Sequence, residues 1–122
     1  MAKFVEMDEK ITVLKQMEED IGPVILINKF NVNPEDVDRF LKAWASDAVA
    51  LKQQPGFISA QLHRGIAGSG TFVNYAVWES TTHLKNALNN IDIQARLSEY
   101  PASTVVSPHL FKKVAVPGIC VD

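Results

Sequence analysis

Apolar residues that follow the Gly22-Pro23 break recur with two different periods, that of a strand and that of a helix. Four segments are rich in β-branched and aromatic residues, which is typical of strands; they cover residues 24–30, 57–64, 72–79 and 103–116. The last of these contains Pro108, which indicates an edge position or an interruption. The glycine-rich run over residues 65–71 suits a hairpin connection between the second and third segments.

The segment between the first two strands predicts a long helix. Asn33 is expected to cap its first turn, Pro34 suits the first helical position, and Asp36 lies favourably near the positive end of the helix dipole. Apolar side chains then recur at helical spacing and mark one buried face; they are Val37, Phe40, Leu41, Trp44, Ala48 and Leu51. The QPG sequence at residues 54–56 is expected to end the helix.

The predicted elements follow the order β-α-β-β-α-β. The second helix is expected from a cap at residues 80–82 to about residue 89, and a further short helical piece covers residues 92–99. This order is that of the ferredoxin-like fold, so we predict an α+β domain with an antiparallel sheet over residues 22–122. Residues 1–21 form an N-terminal extension whose pattern fits either a helix with a modest apolar stripe or an edge strand.

The predicted strands carry apolar side chains on both faces. In the ferredoxin-like fold both helices cover the same face, and a monomer should therefore alternate apolar and polar residues along its strands. Val73, Tyr75 and Val77 instead oppose Phe72, Ala76 and Trp78. A bare second face would be a large exposed apolar patch, so the pattern predicts a homodimer with sheets packed face to face. The alternative is that the N-terminal extension folds across that face.

Composition and charge argue against several classes of function and location. Twelve Lys and Arg against fourteen Asp and Glu leave a net charge of −2, which disfavours a nucleic-acid partner. The acidic N-terminal stretch is not typical of a signal peptide, and the apolar runs are too short to span a membrane. Cys120 has no internal partner, so we expect a cytoplasmic protein with a free thiol.

Polar side chains embedded in apolar strands are the best candidates for a site. Asn28 interrupts the first strand, and Asn74 lies on the same face of the third strand as Trp78. A buried amide is costly unless it is hydrogen-bonded, so either each Asn bonds a neighbouring group or both line a pocket between sheet and helices. In the second case the amides and the Trp78 indole would orient a ligand carbonyl or hydroxyl.

Three further residues are assigned as possible substrate contacts. Phe72 lies on the Asn74 face, and Trp44 lies on the apolar face of the long helix, where a core role is the alternative. His63 carries a titratable imidazole that could act as a base, although a surface or interface histidine is the simpler interpretation. No metal-ligand spacing is visible, and the glycines of the hairpin do not form a dinucleotide fingerprint.

The chain resembles the antibiotic biosynthesis monooxygenase family of dimeric α+β barrel proteins. The resemblance covers residues 22–116 and rests on the runs FNVNPED at 30–36, QPGFIS at 54–59 and NYAVWES at 74–80. It implies a cofactor-independent enzyme that oxidises phenolic or quinol-type aromatic substrates with dioxygen, and it assigns Asn74 and Trp78 as catalytic residues. A non-catalytic ligand-binding or stress-related dimer is the alternative, since this scaffold supports many roles.

A second branch of the resemblance points to heme-degrading enzymes, in which Asn28 would match a functional Asn. Those enzymes also need a Trp and an axial His on the later helices. The corresponding positions hold Ala87 and residues 97–98 (Leu-Ser), and His83 lies too early. This departure argues against heme binding, and no cofactor is expected.

Overall fold

The computed structural model describes residues 2–122, which form strands and helices in the predicted order after a short N-terminal extension. The strands are β1 (Lys3–Phe4), β2 (Val24–Asn31), β3 (Phe57–Arg64), β4 (Thr71–Trp78) and β5 (Val105–Phe111). The helices are α1 (Val13–Gln16), α2 (Val37–Lys52), α3 (Thr81–Leu88) and α4 (Ile91–Arg96), with 3₁₀ turns at Pro34–Asp36 and Leu97–Glu99. None of the helices in residues 2–122 is both long enough and apolar enough to cross a membrane.

The sheet has the strand order β1-β5-β2-β4-β3. Neighbours within β5-β2-β4-β3 are antiparallel, whereas β1 pairs with β5 in parallel. The four antiparallel strands together with α2, α3 and α4 form a ferredoxin-like α+β fold, as predicted. Strand β5 ends at Phe111, which pairs with Ile25 near the start of β2, so the predicted extension of this strand to residue 116 has no neighbouring strand to continue on.

Two apolar clusters fill the space between the sheet and its helices. One surrounds Trp78 and is completed by Val13, Val24, Ala76, Leu84, Ala87 and Leu110. The other surrounds Phe40 and is completed by Phe30, Val32, Val37, Ala43, Phe72 and Tyr100. Helix α2 spans both clusters, because Phe40 near its start belongs to the second and Leu51 near its end packs against the first. The helix therefore runs along the strands from the Phe72 end of β4 to the Trp78 end.

The helix starts differ in how their caps are made. Ser80 caps α3 as expected, since its hydroxyl oxygen accepts a hydrogen bond from the His83 amide at 3.1 Å. The predicted cap by the Asn33 side chain is wrong: the first turn is a 3₁₀ turn, and the Asn33 side chain makes no capping bond there. Asp36, which follows in the same turn, accepts a hydrogen bond from the Ser103 hydroxyl at 2.6 Å and so joins two distant segments of the chain.

The N-terminal extension lies along the outer edge of β5. The Val5 amide donates to the Val106 carbonyl at 2.9 Å, and the Gln16 side-chain amide bonds both the N–H and the C=O of Leu110, at 2.8 and 3.0 Å. Along β5 the backbone groups of alternate residues point to the same edge, so those of Val106, Pro108 and Leu110 all face the extension. The N–H group that Pro108 lacks is therefore absent from this outer edge and not from the ladder with β2. The extension thus contains both a strand and a helix. It leaves the middle of the second face open, where Tyr75 is 39% exposed, and reaches that face only near β5, where the Nε2 atoms of Gln16 and His109 are 3.0 Å apart.

Candidate functional site

Asn28 and Asn74 stand directly opposite each other at the centre of the sheet, on the face that the helices cover. Side chains alternate along a strand, so Asn28 shares this face with the buried Phe30, and Asn74 shares it with the buried Phe72 and Trp78. Directly opposed side chains have Cβ atoms about 4.5–5.5 Å apart. The two amides therefore form one polar pair, and it lies between the two apolar clusters.

The amide oxygens of this pair have no hydrogen-bond partner. The Oδ1 atoms of Asn28 and Asn74 are both buried, and no group in residues 2–122 hydrogen-bonds to either. No protein group therefore satisfies either amide oxygen in the described part of the chain. An unsatisfied buried polar group costs about 1–3 kcal/mol, so two of them side by side represent a sizeable free energy that a bound ligand would recover.

Trp78 and Phe72 form the apolar walls on either side of the Asn pair along β4. Trp78 is 1% exposed and meets the Phe57 ring edge-on, with the centroids 5.4 Å apart. Phe72 packs against Phe40 with the ring centroids at 4.8 Å. Both predicted site residues therefore lie on the Asn74 face, and both also belong to the core.

Trp44 is half-buried and lines a groove of about 330 Å³ between α2 and β3. Ala48, Phe57 and Ala60 complete its apolar wall, and Lys52 lies among its lining residues. A larger groove of about 590 Å³ lies between α1 and the end of β5. Neither groove is lined by Asn28 or Asn74, but the smaller one shares Phe57 with the wall around Trp78, and we therefore regard it as the more relevant.

His63 is not part of this group. It pairs with Val73 in the β3–β4 ladder, so its side chain is on the opposite face of the sheet from Asn74. The imidazole is exposed, and its Nδ1 lies 3.3 Å from the Val73 carbonyl oxygen. The structure separates this histidine from the Asn pair by the thickness of the sheet.

Asp47 is a polar residue on the helix side that the sequence reasoning missed. Its Oδ2 accepts a hydrogen bond from the Tyr100 hydroxyl at 3.1 Å, while its Oδ1 is buried without a partner in the described chain. Burial raises the pKa of Asp47, and the Tyr100 hydrogen bond and the Arg96 charge partly offset that rise. The pKa of Tyr100 is also raised, by its burial and by the neighbouring carboxylate, so its phenol remains a hydrogen-bond donor.

A signal for Asp47 was present in the sequence. The residue lies seven positions after Phe40 and four before Leu51, which puts an acid on the apolar stripe of α2. Arg96 could not be found in this way, because its role depends on contacts with α2. Its Nη1 donates to the carbonyl and hydroxyl oxygens of Ser46 at 3.2 and 2.6 Å, and its Nε is buried without a partner among residues 2–122.

Metal ligation has no candidate cluster, since no three His, Cys, Asp or Glu side chains of residues 2–122 converge. The candidate groups on this side of the sheet are instead the two amides with their aromatic walls and, on α2, the Asp47 carboxylate. Such a set can hydrogen-bond a hydroxyl or carbonyl group on an otherwise apolar ring.

The family model described as "Antibiotic biosynthesis monooxygenase" matches residues 23–96, which is more than half of the chain. The protein belongs to this family. The segment matched contains Asn28, Asn74 and Trp78, together with Asp47 and Arg96. A comparison with curated proteins finds no match.

Solved structures with the antibiotic biosynthesis monooxygenase fold are similar to this chain. SnoaB from Streptomyces nogalater, a cofactor-independent oxygenase, is 23% identical with a TM-score of 0.70, covering 80% of this chain and 99% of its own. A putative monooxygenase from Shewanella loihica is 27% identical with a TM-score of 0.67, covering 78% and 97%. A putative antibiotic biosynthesis monooxygenase from Caulobacter crescentus is 19% identical with a TM-score of 0.65, covering 77% and 92%. Family and fold together support a monooxygenase-type function.

Proposed function

We propose that this protein is a cofactor-independent monooxygenase that oxidises a small phenolic or quinol-type aromatic compound with dioxygen. The observation that carries the proposal is the pair of opposed, buried and unpaired amide oxygens of Asn28 and Asn74 in an aromatic-walled region. Similarity to SnoaB, which is a cofactor-independent oxygenase, supports the proposed reaction class. We further propose that it acts in the cytoplasm, where a reducing environment suits the exposed free thiol of Cys120.

The chemistry needs few protein groups. A deprotonated phenol is electron-rich enough to transfer an electron to dioxygen, and recombination at a ring carbon gives a peroxide that loses water. With a reduced naphthoquinol the balance is one quinol and one dioxygen in, one hydroxylated quinone and one water out. The protein would remove water from the ring and stabilise the anion through N–H donors, for which the side-chain Nδ2 groups of Asn28 and Asn74 are the candidates.

Each candidate residue has a separate role in this scheme. Asn74 and Asn28 would orient the oxygen substituent of the ring through their amides. Trp78 and Phe72 would enclose the ring and exclude water, and Trp44 would line the approach from the groove beside α2. The apolar walls also lower the local dielectric, which strengthens each hydrogen bond to the anion.

We also propose that the active form is a homodimer. The face of the sheet away from the helices carries the apolar side chains of Ile27, Val73, Tyr75, Val77 and Phe111, and Tyr75 and Phe111 are 39% and 38% exposed in the single chain. An apolar face in the middle of a sheet is stabilised when a second sheet covers it. The N-terminal extension, which lies along the β5 edge, leaves this face free for a partner subunit.

Dioxygen consumption with a reduced naphthoquinol such as menadiol tests the function. We expect enzyme-dependent uptake above the spontaneous rate, and a loss of about 100-fold in the variant Asn74→Leu, which keeps the size of the side chain and removes the amide. Asn86→Leu, at an exposed position on α3, is the matched control and should keep wild-type uptake. Equal rates for wild type and Asn74→Leu would contradict the assignment of the site.

A further inference from the structure

Asp47 is the acidic group that faces the sheet from α2, and its position along the helix can be fixed from the core contacts. Phe40 packs against Phe72, and Leu51 packs in the cluster of Trp78. Asp47 lies between Phe40 and Leu51 on the same side of the helix. It therefore lies level with the part of β4 between Phe72 and Trp78, which is where Asn74 is.

The Asp47 carboxylate is held in one orientation. Tyr100 is 6% exposed, its ring stacks on Phe30 with the centroids 6.1 Å apart, and its hydroxyl donates to Oδ2 of Asp47 at 3.1 Å. This leaves Oδ1 as the oxygen that is buried and has no partner among the described residues. A carboxylate oxygen can only accept hydrogen bonds, so the missing partner is a donor.

We propose that Asp47 accepts the hydroxyl hydrogen of the phenolic substrate and takes its proton when the ring reacts with dioxygen. This inference rests on the proposed function and deepens it. The O–H bond of the substrate breaks, its electron pair stays on the phenolate oxygen, and a new O–H bond forms at Oδ1 of Asp47. Dioxygen bonds to a ring carbon, and Asp47 returns the proton to the distal oxygen of the resulting peroxide. The O–O bond then breaks, and the distal oxygen leaves as water with the hydrogen of that ring carbon, which becomes a carbonyl carbon; the carboxylate is restored in each cycle.

The groups around Asp47 suit a proton transfer from the phenol to its carboxylate. Burial, which raises the pKa of Asp47, makes the carboxylate a better proton acceptor than an exposed aspartate. The Nδ2 groups of Asn28 and Asn74 can donate to the phenolate oxygen that is formed, whereas their unpaired Oδ1 atoms can only accept hydrogen bonds. Tyr100 does not touch the reacting atoms in this scheme; it is a positioning residue that fixes which oxygen of Asp47 is free.

Binding tests the hydrogen bond without requiring turnover. The probes are 4-nitrophenol and 4-nitroanisole, in which a methyl group replaces the hydroxyl hydrogen, titrated by calorimetry below the pKa of the phenol. Wild type should prefer the phenol by about tenfold or more, and Asp47→Asn and Asp47→Leu should lose most of that preference. Asp38→Asn, at an exposed acid on the same helix, should keep it. No preference in wild type, or an unchanged preference in both Asp47 variants, would overturn the proposal.

Turnover tests the proton transfer. With menadiol, kcat of Asp47→Asn should fall about 100-fold, as expected for the loss of a general base. The loss should shrink for a nitro-substituted naphthol that is already ionised at neutral pH, whereas a purely structural role would reduce kcat equally for both compounds. Equal losses would overturn the role as base. If wild type discriminates between the binding probes but oxygenates no phenol, the proposed function fails and the role of Asp47 as hydrogen-bond acceptor stands.

Discussion

Asn28 and Asn74 face each other across the β2–β4 ladder, and the Oδ1 atom of each is buried with no hydrogen-bond partner in residues 2–122. Their neighbours on the same face are aromatic or aliphatic, so no side chain at the adjacent strand positions can hydrogen-bond to these oxygens. A fold that keeps two unsatisfied amides in its centre is less stable than it could be. Polar groups retained at such a cost are typical of a binding site.

Replacement of Asn74 by leucine should therefore stabilise the protein while it lowers activity about 100-fold. The substitution keeps the branching and the number of non-hydrogen atoms of the side chain and removes a buried unsatisfied amide, and we expect the free energy of unfolding to rise by about 1 kcal/mol. Urea denaturation at fixed protein concentration measures this change. The exposed variant Asn86→Leu should stay within about 0.5 kcal/mol of wild type. A destabilised Asn74→Leu would mean that the amide is satisfied in solution.

Trp78 should behave differently, because it is part of the core as well as a wall of the site. The residue is 1% exposed and contacts Phe57 edge-on, so Trp78→Ala should lower the free energy of unfolding by about 3–5 kcal/mol. Thermal and urea unfolding measure the loss. Trp44→Ala is the comparison, and it should cost less because Trp44 is only half-buried. Similar losses in the two variants would contradict the central position given to Trp78.

A charge on the open face of the sheet should prevent dimer formation. Tyr75 lies on the face away from the helices, and a carboxylate there would be buried without a partner in a face-to-face dimer. Tyr75→Asp is therefore expected to sediment as a monomer, whereas wild type sediments as a dimer. Ile66→Asp, in the hairpin loop at 91% exposure, is the matched control and should remain dimeric. A monomeric wild type would refute the proposed assembly.

The pH dependence of stability should carry a contribution from Asp47. Burial raises the pKa of Asp47 above its ordinary value of 3.8, so the folded state holds this proton more tightly than the unfolded state. Between 3.8 and the raised folded pKa the folded state binds more protons, and stability therefore falls as pH rises through this window. Asp47→Asn cannot titrate, so the unfolding free energy of wild type should decline relative to that of the variant over this range. A difference that does not change with pH would contradict the burial of the carboxylate.

Much of the fold could be predicted because it depends on local patterns. The β-branched runs fixed three of the strands to within about one residue, and the alternation along β4 correctly put Asn74 and Trp78 on one face. The face of His63 could not be predicted in the same way, because it depends on the β3–β4 register, which pairs His63 with Val73.

The remaining features depend on contacts between distant parts of the chain. The Gln16 side chain takes the position of a strand neighbour at Leu110, a contact across 94 residues that no periodicity indicates. Asp36 bonds Ser103, a residue 67 positions away that a local capping rule does not consider. The hydrogen bond between Tyr100 and Asp47 likewise spans 53 residues, so only the unusual acid on the α2 stripe could have been noticed in the sequence.

The most direct test of the central claim is the fate of dioxygen labelled with ¹⁸O during turnover of menadiol. A monooxygenase should transfer one labelled oxygen atom to the quinone and release the other as water, and Asn74→Leu should lose this incorporation while Asn86→Leu retains it. Mass spectrometry of the quinone product measures the label. Product without label, or label at the level of the spontaneous reaction in wild type, would contradict the account.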